Sequence, residues 1–286
     1  MNKDTKAAVV FIHGQSNAHA HGQKLPEEDR ITEPMTHVFS LDRDPNQSFD
    51  ITDVVWSGFT TAGKNLGESQ DHTASFAYHL AKLWQNAVDA GSALPDLYIV
   101  QISIGSQGII NGMWNPDHPK VMIPGPLGKV NIALFPWAQQ VTKLVMQNLE
   151  RSGKNPEVIG WHWLGSEQEI WHEAYDRPDA AQRYDTFFDT LLAPLGNCPV
   201  YLYKVLFHVV CQNHGLPVHA SDRINDHLMR QCARRENTYM VTVEDCPDWD
   251  PSVPARGVFA KDNGHYLGTT QNWFARRFFD TVCKDI

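Results

Sequence analysis

Five short apolar runs, at residues 7–13, 97–104, 158–163, 200–207 and 239–243, punctuate the chain, each almost continuous in apolar or β-branched residues. Strands covered on both faces read this way, because neither face can carry the polar alternation of a half-exposed strand. Between the runs the spacing becomes helical. Residues 75–90 put Phe76, Leu80, Leu83 and Ala87 on one face, and 180–192 do the same with Tyr184, Phe187, Phe188 and Leu191. Further helices are predicted at 134–150, 222–236 and 269–282, the last burying Trp273, Phe274 and Phe278. This alternation predicts an α/β fold: three α/β/α layers around a five-stranded parallel sheet of flavodoxin-like type, with right-handed crossovers.

A chain of 286 residues suits a single domain, since it can bury about three quarters of the surface its unfolded form exposes. Two stretches, 18–71 and the Gly-, Pro-, Asn- and Asp-rich 105–130, break the alternation and read as long loop insertions. Both leave the carboxyl ends of strands, where an open parallel sheet binds its ligand, so they are the expected substrate walls. No apolar run approaches the roughly 18 residues of a membrane span. The net charge of −9, with no basic stripe in the sequence, disfavours nucleic acid as a partner, because such binding draws its affinity from Lys and Arg neutralising phosphates. So few residues precede the first run that no secretion leader fits, which gives a cytoplasmic expectation, or a secreted or periplasmic one if a leader has been removed. Cys198, Cys211, Cys232, Cys246 and Cys283 are odd in number and lack CxxC spacing, so they read as buried thiols.

The chemistry lies at the two ends of the chain. His13-Gly14-Gln15-Ser16-Asn17 follows the first apolar run directly, and Asp262-Asn263-Gly264-His265 precedes the last helical pattern. A serine hydroxyl attacks at neutral pH only if a base removes its proton, and a histidine oriented by a carboxylate is the usual base. Ser16 is therefore the candidate nucleophile, His265 its base and Asp262 the group that orients His265, with Gly14 and Gly264 allowing the turns. The first and last loops of such a sheet open on one edge, so their separation in sequence is no obstacle. A different class, a metal-dependent hydrolase, is suggested by His19-Ala20-His21, with His208 and His214 as further ligands.

Four motifs in order resemble the SGNH hydrolase superfamily, and within it the sialate O-acetylesterase-like carbohydrate esterases: GQSN at 14–17, GSQG at 105–108 followed by Trp114, Trp163-Leu164-Gly165-Ser166-Glu167, and Asp262 to His265. The resemblance implies a serine esterase that removes O-acyl, usually O-acetyl, groups from a small-molecule or polysaccharide sugar, without metal or cofactor. It implies an oxyanion hole made by the N–H of Ser16 and that of Asp71, which stands where the family has glycine. The third donor of the family is a glutamine whose place is taken by Gly165, leaving Gln107, Ser106 or Ser166 to replace it. Gln15, Asn17, Trp114 and Glu167 are the expected substrate-side residues, Glu167 also as a buried acceptor. Trp161, Trp163 and Trp171 could stack on a sugar, and Arg43, Arg177 and Arg256 are loop candidates for a sugar carboxylate. The missing glutamine also admits an alternative, a catalytically weak or inactive carbohydrate-binding relative.

Overall fold

The computed structural model describes residues 5–41, 53–62, 66–67, 72–118, 121–125, 128–206, 215–217, 219–250, 257–262 and 264–285. Its centre is β1 (Thr5–Gly14), which pairs in parallel on one side with β5 (Asp96–Ser103) and on the other with β8 (Lys154–Leu164). Residues of β1 alternate between two cores. Ala7, Val9 and Phe11 join one, and Ala8, Val10 and Ile12 the other, all at most 1% exposed. That double burial is why the run carries no polar alternation.

Beyond β8 the sheet continues through β9 (Val200–Tyr203) and β10 (Thr238–Val241), both parallel. These five strands match the five apolar runs. The sheet is wider than five, however. Val38–Leu41 (β2) pairs in parallel with β5, Trp56–Gly58 (β3) pairs antiparallel with β2, and Leu66–Gly67 (β4) also lies on β5. The stretch 18–71 is therefore not only a loop insertion. Its strands are short and partly exposed, which hid them from a search for apolar runs. Likewise 105–130 contains most of a separate hairpin, β6 (Val121–Gly125) with β7 (Gly128–Ile132).

Helices cover both faces. On one lie α1 (Phe76–Asp89), whose N-cap Ser75 accepts the Tyr78 N–H, and α6 (Gly268–Asp285). Opposite are α2 (Leu134–Arg151), the short α3 (Gln168–Trp171), α4 (Ala180–Leu192) and α5 (His219–Arg234). Phe187 of α4 meets Trp163 at 4.8 Å and Trp114 at 5.9 Å between ring centres, so an aromatic cluster fills this side beneath the strand ends. Cys198 and Cys246 are buried free thiols and Cys232 is half-buried, whereas Cys283 is exposed; Cys211 lies outside the described residues. Among the described residues no helix is long and apolar enough to cross a membrane.

The strand ends approach most closely at Gly14. Its φ is +151°, and a Cβ there would lie 2.0 Å from the Leu164 carbonyl oxygen, whose partner is the Gln15 N–H at 3.0 Å. Gly14→Ala must push β1 and β8 apart, and should lower unfolding stability by about 3 kcal/mol. Urea unfolding checks this; an unchanged midpoint would contradict the close approach.

Candidate active site

Ser16 stands half-buried on the turn that Gly14 permits, and the turn is fixed by Ala18 N–H to Gln15 O at 2.9 Å and His21 N–H to Ser16 O at 3.0 Å. From below, the Trp114 indole N–H donates to the Gly14 carbonyl at 3.0 Å. Because Gly14 is paired with Ser103 on β5 and Leu164 on β8, the segments after all three strands leave the same edge.

His265 arrives at that edge from the far end of the chain. Its Nδ1 lies 2.6 Å from Asp262 Oδ2, while Asp262 Oδ1 accepts the N–H groups of Gly264 and His265, each at 3.0 Å. Partial burial opposes ionisation of Asp262, but the bond from the His265 ring and the two backbone N–H bonds outweigh it and hold the carboxyl below its ordinary range. With Nδ1 engaged, Nε2 is the nitrogen left for a proton.

Asn17 joins the two loops. Its Nδ2 donates to Gly264 O at 3.1 Å and its Oδ1 accepts the Tyr266 N–H at 3.0 Å, so one side chain holds the backbone on both sides of His265. The same Nδ2 donates to Glu167 Oε1 at 2.8 Å, and Gln271 of α6 donates to the Asn17 carbonyl at 2.8 Å. The residue beside Ser16 is thus bonded to the neighbours of His265, some 250 positions away.

Several expected substrate residues take structural places instead. Asn17 is 2% exposed and spends its amide on the protein. Trp114 is wholly buried under the Ser16 turn, so the expectation that it meets a ligand is corrected: its N–H finds a carbonyl inside. Glu167 is buried, one oxygen on Asn17; burial raises its pKa, against the pull of that bond. Gln15 is also buried, with Oε1 unpartnered among the described residues. Trp161 and Trp163 are wholly buried, and only Trp171, 42% exposed, presents indole to solvent among these tryptophans. Arg177 is held by Asp179 through two bonds of 3.0 Å. Asp71, Arg43, Arg256, His208 and His214 lie outside the described residues.

Gly165 is confined from two sides. A Cβ there would sit 2.9 Å from the Trp163 ring and 3.4 Å from Gly14 Cα, so a glutamine would have to displace the indole. Ser166 is no substitute donor here, being wholly buried with its hydroxyl taking the Trp163 N–H at 3.0 Å. Ser106 is exposed on a residue with φ of +57°. Gln107 is half-buried; its Oε1 accepts the Met113 N–H at 3.0 Å, and among the described residues its Nε2 has only a long 3.4 Å bond to Gly105 O.

The His19 and His21 rings stand 6.0 Å apart, and His21 lies 5.2 Å from the His265 ring. His19 is buried with Nδ1 3.0 Å from Ser103 Oγ; burial first, then the nearby His21 and His265, lowers its pKa to about 3. Among the described residues no three His, Cys, Asp or Glu side chains converge as metal ligands.

Sequence reasoning missed three buried groups here. His13, stacked on Trp161 at 5.1 Å, has both ring nitrogens unpartnered among the described residues, and burial lowers its pKa to about 3, so it is a neutral core ring. His162 on β8 is similar, with only Nδ1 bonded, to Tyr203 Oη at 3.1 Å. Glu169 accepts the N–H groups of Ile109 and Ile110 at 2.5 and 3.0 Å. In a run reading Ser-Glu-Gln-Glu, a second carboxylate gave no sign of burial.

No protein-family model matches the chain, and no curated protein does. Among solved structures it is similar to NanS, with 16% identity over 99% of this chain and 98% of that one and a TM-score of 0.66. A protein from Arabidopsis thaliana is similar at 13% identity, 97% and 98% coverage and a TM-score of 0.56. A carbohydrate acetylesterase from Xanthomonas citri follows at 12% identity, 96% and 55% coverage and 0.48. At such identities the likeness is one of fold alone, the layered α/β arrangement around a mainly parallel sheet.

Asn17→Ala leaves the Tyr266 N–H and the buried Glu167 carboxyl without their partner, and unpaired buried groups of this kind are expensive. The melting temperature should fall by roughly 5 °C. A variant melting like the wild type would show that the clamp is not made.

Proposed function

We propose that the protein hydrolyses O-acyl esters of carbohydrates, O-acetyl groups above all, through an acyl-enzyme on Ser16. The observation that carries this reading is the Asn17 clamp, which holds the Asp262–His265 pair beside the serine turn. Ser16 Oγ attacks the ester carbonyl carbon while His265 Nε2 takes its proton, giving a tetrahedral oxyanion and an imidazolium that Asp262 stabilises. Collapse breaks the bond to the sugar oxygen, which receives the proton from His265. Water then repeats the sequence on the acyl-serine, releasing the carboxylic acid and restoring the hydroxyl.

The oxyanion is met by the N–H of Ser16, with the N–H of Asp71 and the Nε2 of Gln107 as the further donors. Each donor in such a hole supplies about 2.7–4 kcal/mol of barrier lowering. Gln107 suits the third place because its oxygen is fixed by Met113 while its nitrogen is only weakly engaged. Trp171 is the exposed indole that can stack on a sugar ring. One observation favours the alternative of a weak or inactive carbohydrate-binding relative: Gly165 has no side-chain donor, and Trp163 blocks a side chain there.

On an activated acetyl ester, Ser16→Ala should lower kcat by at least about 10³-fold, and a chelator should leave the wild-type rate unchanged. Undiminished turnover in Ser16→Ala would overturn the nucleophile. Loss of activity to the chelator, restored by metal, would favour the His19/His21 reading.

A further inference from the structure

We propose that Glu169 is a positioning residue for this reaction, its carboxylate fixing the 105–114 loop and, through it, the Gln107 amide and the turn that carries Ser16. The inference rests on the esterase reading above. Glu169 is 0% exposed at the start of α3, and its Oε1 receives both the Ile109 and Ile110 N–H groups. The loop is wrapped closely around it. A Cβ on Gly108 would lie 2.4 Å from Glu169 Oε2, and one on Gly112 would lie 2.1 Å from the Gly108 nitrogen, so the chain folds back on itself over the carboxylate.

Everything the loop offers to the site hangs from that knot. Asn115 Nδ2 donates to Ile110 O at 2.9 Å, and the Met113 N–H holds Gln107 Oε1. The adjacent Trp114 supports the Gly14 carbonyl from below. Ile109, Ile110, Met113 and Trp114 tie the loop to the core, but apolar contacts are non-directional, and a central acceptor for adjacent N–H groups supplies the direction that they do not.

A carboxylate is a costly way merely to fill a core. Glu169 Oε2 has no hydrogen-bond partner among the described residues, and the titratable groups around it are Glu167 and the Tyr184 hydroxyl, neither of which supplies positive charge. Burial accordingly pushes its pKa up to about 7 despite the two N–H bonds. A group with a raised value destabilises the fold as pH climbs from the ordinary carboxyl range to about 7. An apolar side chain would avoid that loss, so the acceptor oxygen is the feature the site uses.

The test compares Glu169→Ala and Glu169→Gln on the activated acetyl ester, with Ser16→Ala as control. Glu169→Ala should lower kcat by about 10²-fold with KM changed less than about threefold, because donor placement matters most in the transition state. Glu169→Gln keeps an oxygen in place and should restore kcat to within about threefold of wild type. Gln107→Ala should lose a similar factor, and adding Glu169→Ala to it should cost little more. Should Glu169→Ala not fold, Gly108→Ala crowds the same carboxylate from the loop side and is expected to give the same loss of kcat. If Ser16→Ala is inactive while Glu169→Ala or Gly108→Ala keeps wild-type kcat, this inference alone falls. Equal losses in Glu169→Ala and Glu169→Gln overturn it too. If wild type has no activity, or Ser16→Ala keeps it, the esterase reading falls and takes this one with it.

Discussion

Asn17 is the residue on which the site depends. Its amide makes three bonds, to Glu167, Gly264 and Tyr266, and its carbonyl takes a fourth from Gln271, so the first, third and last βα connections meet at one side chain. Neither hydrophobic core could do this, because apolar contacts are non-directional and would leave the His265 loop free to slide. Directional bonds to the backbone on both sides of His265 set that loop against Ser16. Gly14 makes the meeting possible by allowing β1 and β8 to close to backbone contact.

Beneath this clamp the floor of the site is rich in desolvated titratable groups. Burial drives His13, His19 and His162 down to about 3, so they are neutral rings at any ordinary pH, and it drives the Glu167 and Glu169 carboxyls upward. Asp262 behaves oppositely, because three bonds to it exceed the effect of its partial burial. The contrast separates roles: the carboxyl kept below its ordinary range faces the histidine that would carry charge, and the raised carboxyls hold the protein, Glu167 the Asn17 amide and Glu169 the backbone of Ile109 and Ile110.

The central five strands were legible because burial on both faces leaves a continuous apolar run, as in β1 and β5. β2 and β3 were not, since short strands with partly exposed residues resemble loops. Ser16 and the Asp262–His265 pair could be singled out as candidates because Ser-His-Asp chemistry needs those residue types and Asp262 stands three positions before His265. What could not be read was burial in irregular segments. Trp114 stands in a Gly-rich loop that looks exposed, yet its indole is inside because the Gly14 carbonyl needs a donor. Glu169, and the clamping role of Asn17, escaped for the same reason, since contacts spanning 60 or 249 positions follow no periodicity.

The central claim is that Ser16 is made nucleophilic by His265 across the clamp. A fluorophosphonate, which phosphonylates a serine only when a neighbouring base activates it, tests this directly when the adduct is located by peptide mass spectrometry. The account predicts one adduct, on the peptide containing Ser16, and none in His265→Ala. An adduct on another serine, or equal labelling of Ser16 without His265, would contradict it.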